Sequence, residues 1–331
     1  MKLVSRYLNR ILAYGFAFAC AAVASSSVAE IKNGFDLADS LVPVEQVFQG
    51  GPPRDGIPAI DHPRFISVME ARLNPEDRIL GVSLNGEARA YPIAILNRHE
   101  VVNDSFGEHI VLVSYCPLCG SGMVFTLGQG DTRSKEINRT FGVSGLLYNS
   151  DVLLYDRQTA SLWSQLRMQA ISGPRKGERL QLLPARHTDW QDWLARYPET
   201  RVLSTDTGYA FDYSRDPYAN YKASSNVWFP VAHQSQRFAA KAWVAGIVLD
   251  GPAKAYPFSE LAKAGERLRD SFSGRALIIE WNDAAQSARV TISETGEEVP
   301  VVNAYWFAWF GFYPETEVYI VGEEPVSESE K

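Results

Sequence analysis

The residues of this sequence that could do chemistry are concentrated in one short segment, residues 110–125, which carries two cysteines three positions apart. Cys116 and Cys119 stand in a Cys-Pro-Leu-Cys-Gly motif between two apolar runs, a pattern that predicts a strand, a tight turn and a second strand. Proline restricts the backbone after the first sulfur, and glycine allows a positive φ angle after the second. The motif therefore predicts a metal-binding knuckle that directs two thiolates to one point.

The remaining ligands of such a site have to be histidine or carboxylate. One knuckle supplies two of the roughly four ligands of a closed zinc site, and the only other cysteine is Cys20. We predict His99 as the third ligand, with Asp104, His109 and Asp156 as further candidates. Two thiolates, one imidazole and an open position would suit zinc, or copper(I) as a soft metal.

Two other hypotheses fit the same motif. The pair could cycle between dithiol and disulfide, as in a thiol–disulfide oxidoreductase. The Gly-Ser-Gly run after Cys119 is a poor helix start, however, and no βαβ pattern surrounds it. The pair could also form a structural disulfide in a non-enzymatic binding protein, which is common in oxidising compartments. Enzymatic activity and catalytic residues are not assigned by the sequence.

The N-terminal 29 residues have the pattern of a cleaved secretory signal. Three basic residues precede an apolar core over residues 11–24, and small residues lead to a cleavage site near Ala29. The apolar core is shorter than the roughly 20 residues of a membrane-spanning helix. We therefore expect a periplasmic or secreted protein without a membrane span after cleavage. Cys20 would leave with the signal, so Cys116 and Cys119 would be the whole thiol chemistry of the mature chain.

The charge of the chain limits its partners. The formal net charge is −7, and loss of residues 1–29 would remove three cations and no anion, which leaves −10. An acidic protein is a poor candidate for binding nucleic acid or anionic lipid. We expect a metal ion or another small molecule as the partner, and the sequence does not identify a protein partner.

Two segments of the chain resemble each other, residues 81–92 and residues 246–257. The first reads Gly-Val-Ser-Leu-Asn-Gly-Glu-Ala-Arg-Ala-Tyr-Pro and the second Gly-Ile-Val-Leu-Asp-Gly-Pro-Ala-Lys-Ala-Tyr-Pro. Asn-Gly and Asp-Gly are hairpin signals, and the proline suits the start of a short helix before the next strand. We therefore predict a β-rich α+β fold with an internally duplicated unit of β-hairpin, helix and strand.

The duplication separates structural from functional candidates. Residues in both copies, such as Asp104 and Asp270, are expected to be structural, whereas His99, Cys116 and Cys119 occur only in the first copy. The second copy is therefore expected to be scaffold. The predicted organisation is a signal peptide (1–29), an extended lead-in (30–60), a first repeat with the cysteine site and a β-rich insert (61–225), a second repeat (226–320) and a disordered tail (321–331).

The insert between the repeats concentrates polar residues among apolar runs. Asp156, Arg157, Trp163 and Gln165 fall within one stretch of alternating strand-like segments and turns. This stretch could be a turn with an Asp/Arg pair and a core tryptophan. It could equally form, with Asp104, one wall of a binding pocket.

Several motifs in the same order resemble one known family. They are Asn-Arg-His-Glu-Val-Val-Asn-Asp (97–104), Tyr-Cys-Pro-Leu-Cys-Gly (115–120), Phe-Gly-Val-Ser-Gly (141–145), Tyr-Asp-Arg-Gln-Thr (155–159) and Ser-Leu-Trp-Ser-Gln (161–165). Together they resemble the bacterial and archaeal "domain of unknown function 3179" family over roughly residues 45–315.

This resemblance implies little about activity, because no function is established for the family. It supports His99, Cys116 and Cys119 as motif positions, with Asp156, Arg157, Trp163 and Gln165 beside them. Our leading hypothesis from the sequence is an exported protein that binds copper or zinc, for metal handling or a metal-assisted redox reaction.

Overall fold

A computed structural model describes residues 30–129 and 139–323, and these residues form a mostly β structure. Strands make up 41% of the structure and helices 13%. The predicted signal peptide with Cys20 and most of the predicted C-terminal tail lie outside the described residues. Within the described part, no helix is long and apolar enough to cross a membrane.

The strands are short and follow one another closely along the chain. They are β1 (Ile31–Lys32), β2 (Phe35–Asp36), β3 (Val47–Gln49), β4 (Phe65–Ile66), β5 (Arg78–Leu84), β6 (Glu87–Pro92), β7 (Val101–Phe106), β8 (His109–Cys116), β9 (Ser121–Gln129), β10 (Phe141–Tyr148), β11 (Asp151–Asp156), β12 (Leu162–Ser164), β13 (Gln169–Ser172), β14 (Gln181–Leu183), β15 (Arg186–Asp189), β16 (Arg201–Leu203), β17 (Trp243–Val248), β18 (Ala253–Pro257), β19 (Arg267–Phe272), β20 (Arg275–Asn282), β21 (Ser287–Ile292), β22 (Glu298–Val299), β23 (Val302–Tyr305) and β24 (Glu317–Val318).

The α-helices of the described residues have five to seven residues each. They are α1 (Ile93–His99), α2 (Trp190–Arg196), α3 (Ala219–Ala223), α4 (Phe258–Ala264) and α5 (Trp306–Phe312), and one 3-10 turn spans Val44–Gln46.

Five sheets of four or five strands are arranged as a five-bladed β-propeller, and β1 and β2 form a separate ribbon. Two of the sheets carry the candidate site. We call β14-β9-β8-β7 the cysteine sheet and β13-β12-β11-β10-β3 the aspartate sheet. The others are the first repeat sheet (β15-β5-β6-β16-β4), the second repeat sheet (β23-β17-β18-β24) and the sheet β19-β20-β21-β22.

The predicted α+β class is wrong, because the helices do not form a layer. A seven-residue helix is only about 10 Å long, too short to cover a sheet as α+β architecture requires. Helix α1 starts after Pro92 and stops at Glu100, whose φ angle of 58° is left-handed. The hairpin before α1 and the strands after it also belong to different sheets. The hairpin–helix–strand segment therefore connects two blades and is not itself an architectural unit.

The two repeat sheets have the same construction, although their strands come from distant parts of the chain. Each has a central hairpin (β5-β6 or β17-β18), an antiparallel strand on one side and a short parallel strand on the other. A seven-residue helix leads from the outer antiparallel strand toward the parallel one, α2 in the first sheet and α5 in the second. The duplicated element is therefore a whole sheet that the chain completes only after it has built other blades.

A tryptophan from each of these helices closes its sheet in the same way. Trp193 donates a 3.0 Å hydrogen bond to Thr200, and Trp309 donates one of 3.0 Å to Thr316. Both pairs belong to a Trp-x-x-x-Tyr-Pro-Glu-Thr sequence that occurs at 193–200 and 309–316. This second match extends the duplication well beyond the segments that the sequence analysis compared.

Glycine is required where each tryptophan crosses its central hairpin. A Cβ atom at Gly81 would lie 2.4 Å from the Trp193 ring, and one at Gly246 would lie 2.2 Å from Trp309 Cζ3. A rigid tryptophan ring cannot bend out of the way as the end of a flexible side chain can. The helix and the sheet would therefore have to move apart.

Replacement of Gly246 by alanine should lower the free energy of unfolding by about 1–3 kcal/mol, because the added methyl group overpacks the Trp309 contact. Urea denaturation followed by circular dichroism measures this change. Gly311→Ala is a matched control in the same region, because its Cβ would meet its nearest neighbour at 3.6 Å. Equal losses in the two variants would contradict the tight Gly246–Trp309 packing.

Candidate metal centre

The two cysteines lie at the turn between β8 and β9, as the sequence predicts. Cys116 ends β8 and pairs with Ser121 at the start of β9, and the Cys119 amide donates a 3.2 Å hydrogen bond to the Cys116 carbonyl. Gly120 has a φ angle of +69°, and a Cβ there would lie 2.4 Å from the Trp243 ring. Only glycine satisfies both conditions without strain, so the turn is fixed against the second repeat sheet.

Other parts of the chain hold the turn from outside. The Tyr305 amide donates to the Cys119 carbonyl at 2.8 Å, and the Tyr221 hydroxyl donates to the Leu118 carbonyl at 2.9 Å. Both thiols are buried, with exposed fractions of 1% for Cys116 and 0% for Cys119. Both are free thiols, so the structure does not contain the disulfide of the third sequence hypothesis.

A carboxyl group from the aspartate sheet faces the two thiols. Strands β10 and β11 are joined by Asn149 and Ser150, whose φ angles of 51° and 64° define a two-residue hairpin turn of the type favoured in tight hairpins. Asp151 is the next residue and begins β11. Its side chain is fully buried, and its Oδ2 accepts a 3.0 Å hydrogen bond from the Leu166 amide. Its Oδ1 has no hydrogen-bonding partner among the described residues.

The ligand atoms of Cys116, Cys119 and Asp151 all lie within 4.8 Å of one another. The Ser150 carbonyl adds a further oxygen to this group, 3.3 Å from Cys119 Sγ and 4.0 Å from Cys116 Sγ. Two thiol sulfurs and a carboxylate oxygen at this spacing could hold a metal ion.

Burial controls the charge of this cluster. It raises the pKa of Asp151 to about 7, although the Leu166 amide and the two neighbouring thiols offset part of the effect. It raises the pKa of Cys116 above its ordinary value and that of Cys119 well above it. Burial, with the nearby Asp151 charge, also raises the pKa of Glu100 to about 8. At neutral pH both thiols are therefore protonated and Asp151 is about half protonated, and a bound cation would displace these protons.

His99 lies outside this cluster. Its Nδ1 is 2.7 Å from the Pro58 carbonyl and its Nε2 is 2.7 Å from the Tyr213 hydroxyl, so both ring nitrogens are occupied. The rings of Tyr209 and Phe211 pack on the imidazole, each with its centroid at 5.4 Å. Metal coordination by His99 would require both hydrogen bonds to break, and its role as a ligand stays a prediction.

The structure places Asp104 of β7 in an ion pair with Arg89. Asp104 lies opposite Val111 of β8 and so five positions before Cys116 in the ladder. Its carboxylate accepts hydrogen bonds of 2.6 Å from Arg89 and from Tyr91. The second repeat has the same arrangement, in which Asp270 accepts from Lys254 at 2.7 Å and from a tyrosine hydroxyl. The recurrence in the repeat without cysteines supports a structural role.

The other predicted pocket residues divide between two networks. Asp156 accepts a 2.9 Å hydrogen bond from Trp163, and Arg157 pairs with Asp61. These two contacts fit the prediction of a core tryptophan and a turn, and the ion pair of Arg157 is with Asp61 rather than with Asp156.

Gln165 alone of these residues is directly connected to the cysteine turn. Its amide donates to Ser114 at 2.9 Å and its carbonyl accepts from Ser121 at 2.6 Å. All three side chains are fully buried. Because Ser121 pairs with Cys116 in the ladder, this network fixes the base of the turn.

Asp151 and Glu100 were not among the residues predicted from the sequence. The signal for Asp151 was an Asn-Ser-Asp turn between two apolar runs, since an acidic residue that begins a buried strand needs a partner. Glu100 directly follows His99, and its left-handed backbone at the end of α1 turns the chain into β7. Neither signal identifies the cysteines as neighbours, because that proximity depends on how the two sheets meet.

Metal-free protein should lose stability relative to Asp151→Asn as the pH rises from 5 to 7. The folded state retains the Asp151 proton up to about pH 7, whereas the unfolded state releases it near pH 4. The contribution is therefore present at low pH and lost as pH rises through the folded pKa, a difference of about 2 kcal/mol. Urea denaturation in the presence of a chelator measures it, and parallel pH profiles for the two proteins would contradict the raised pKa.

Comparison with known proteins identifies the family of this chain but does not identify an activity. No curated protein and no solved structure matches the chain. A family described as "Protein of unknown function (DUF3179)" matches residues 54–296, which confirms the resemblance seen in the sequence motifs and includes the cysteine turn and Asp151. The chain belongs to this uncharacterised family.

Proposed function

We propose that this protein is exported and binds zinc, or alternatively copper(I), at Cys116, Cys119 and Asp151. The observation that supports the proposal is the convergence of three ligand atoms within 4.8 Å in a fully buried position. The unpartnered Oδ1 of Asp151 adds to it, since a buried acceptor without a partner is unfavourable. A metal ion would satisfy all three groups at once.

The donor set favours zinc. Zinc accepts thiolate sulfur and carboxylate oxygen together, whereas copper(I) prefers soft sulfur ligands. With copper(I), the two thiolates would suffice and Asp151 could stay protonated. With zinc, all three groups would be ionised and one coordination position would remain for a further ligand. The dependence of affinity on Asp151 therefore distinguishes the two metals.

Thiol–disulfide exchange is less well supported. Reactive cysteines are partly exposed and have lowered pKa values, whereas Cys116 and Cys119 are buried and burial raises the pKa of both. A metal can stabilise thiolates in such surroundings, because it replaces the protons and supplies the compensating charge. The burial thus favours metal retention over redox cycling, and we propose metal handling as the role.

Zinc should bind to the mature protein at one equivalent, with an affinity that rises with pH because the thiols release protons. Cys119→Ser should abolish tight binding, and Asp151→Asn should weaken it ~10-fold or more. Competition with a chromophoric chelator measures both. Glu100→Gln is the matched control, because it removes a buried acid that is not a member of the cluster, and it should retain affinity within a few-fold.

His99→Ala tests the ligand set that the sequence predicted. The proposed set requires that this variant keep its zinc affinity, since the imidazole is hydrogen-bonded elsewhere. A loss as large as that of Cys119→Ser, with Asp151→Asn unaffected, would replace Asp151 by His99 in the site. Wild-type protein that binds neither zinc nor copper(I) would refute the proposed function.

Export is proposed from the N-terminal sequence pattern alone, which lies outside the described residues. If residues 1–29 are a signal, the protein recovered from the exported fraction should begin at or near Glu30. Intact-mass spectrometry of the fractionated protein measures this directly. Full-length protein found only in the cytoplasmic fraction would contradict export and leave the metal site to be judged separately.

A further inference from the structure

One long connection covers the candidate metal centre. Between β16 and β17 the chain forms no strand, and α3 is its only helix. We call residues 204–228 of this connection the strap. Connections of this length without regular structure are uncommon in compact domains and are often functional.

The strap is attached to the body by side chains and not by a ladder of backbone hydrogen bonds. Ser204 donates to the Arg64 carbonyl, but beyond it the backbone–backbone hydrogen bonds of the strap are local to the strap in the described structure. Segments of this kind can open without unfolding of the sheets beneath them. Displacement of residues 205–228 would therefore break only contacts to the body in which a side chain takes part.

One tyrosine of the strap contacts the cysteine turn, and a second contacts Glu100. Tyr221 is 1% exposed and donates its hydroxyl hydrogen bond to the Leu118 carbonyl, inside the cysteine turn. Tyr218 points its hydroxyl toward the Glu100 carboxyl at 3.5 Å. The strap is thus in direct contact with the turn that carries both thiols.

Another part of the strap borders open space. Tyr213, Asp216 and Lys222 line a groove of about 770 Å³. Asp216 also accepts a 3.2 Å hydrogen bond from Asn97 of α1, whose Oδ1 is buried without a partner in the described chain. One segment therefore contacts the cysteine turn and also lines an open groove.

A lysine outside the strap holds Tyr221 in place. Lys241 Nζ donates to the Tyr221 carbonyl, donates to the Ser224 carbonyl at 2.7 Å, and lies 3.3 Å above the Tyr221 ring. Trp228, which is 55% exposed, makes an edge-to-face contact with the same tyrosine ring, with a centroid distance of 4.7 Å. Loss of Lys241 would remove two hydrogen bonds and a cation–π contact without touching the thiols.

We propose that the strap is a gate, a movable cover over the two cysteines, whose opening admits and releases the ligand of the site. In the closed state Tyr221 blocks access to the thiols, and Lys241 holds Tyr221 in place. This inference rests on the proposed function for the identity of the ligand, a thiophilic metal ion. The gate itself concerns access to Cys116 and Cys119 and can be measured without any metal. It distinguishes an exchangeable site from a permanently structural one.

The test is the rate at which a small neutral thiol reagent, 4,4′-dithiodipyridine, modifies the chelator-treated protein under native conditions. Wild-type protein should react slowly, and Lys241→Met should react at least ten times faster. Tyr221→Phe keeps the ring but loses the bond to Leu118, and it should give a smaller acceleration. Lys263→Met is the control, because Lys263 is an exposed lysine whose ion pair is with Glu260 of its own helix.

Global stability is measured for each variant by urea denaturation, because general destabilisation would also expose the thiols. Acceleration in Lys241→Met that persists when the free energy of unfolding is unchanged supports the gate. A Lys241→Met rate equal to that of wild type, or rates that follow global unfolding in every variant, would overturn it. Faster labelling in a protein that binds no zinc or copper(I) would uphold the gate and refute the metal.

Discussion

The burial of two thiols and a carboxyl group beside one another is the constraint on which the rest of the site depends. An ionised group in an apolar interior is unfavourable by several kcal/mol unless it is paired, so burial opposes the ionisation of Asp151 in the metal-free protein. The pKa of about 7 for Asp151 expresses this cost. A cation at the cluster reverses the situation, because it favours the charged forms of all three groups. The desolvation that disfavours ionised ligands without a metal would then strengthen their attraction to a bound cation.

The propeller brings this cluster together from two tight turns. The cysteine sheet contributes the loop after β8, and the aspartate sheet contributes the hairpin before β11. Each turn is fixed by backbone conformations that few residues adopt, including Gly120 at φ +69° and Ser150 at φ 64°. The second repeat sheet supports the cysteine turn through Trp243 and Tyr305. Residues of the second repeat, which was predicted to be scaffold, therefore help to fix the position of the thiols.

The sequence predicted the local parts of the site and missed its long-range part. The strand–turn–strand arrangement around Cys116 and Cys119 follows from local rules, and so does the need for Gly120. Comparison of the repeats also indicated the structural role of Asp104, which the matching Lys254–Asp270 pair supports. Asp151 could not be found in this way, because its proximity to the cysteines arises from the packing of two sheets.

The prediction of an α+β fold class was wrong for a related reason. The duplicated segments begin with a hairpin and a helix start, and this local order favoured a compact α+β unit. In the structure each hairpin pairs with strands that come much later in the chain, β15 and β16 in one copy and β23 and β24 in the other. The identical Tyr-Pro-Glu-Thr runs at 197–200 and 313–316 were the available signal of this completion. Each run lies far along the chain from the central hairpin of its own sheet. Short-range periodicity does not detect a relation over such a distance.

X-ray absorption spectroscopy on mature protein purified from the exported fraction without chelator tests the central claim most directly. We predict about one equivalent of zinc with two sulfur neighbours at about 2.3 Å and at least one oxygen neighbour at about 2.0–2.2 Å. Cys119→Ser should lose the bound zinc, and the zinc–sulfur signal with it. A protein that contains no stoichiometric metal and acquires none from zinc or copper(I) would contradict the account, and a zinc shell without sulfur would place the metal elsewhere.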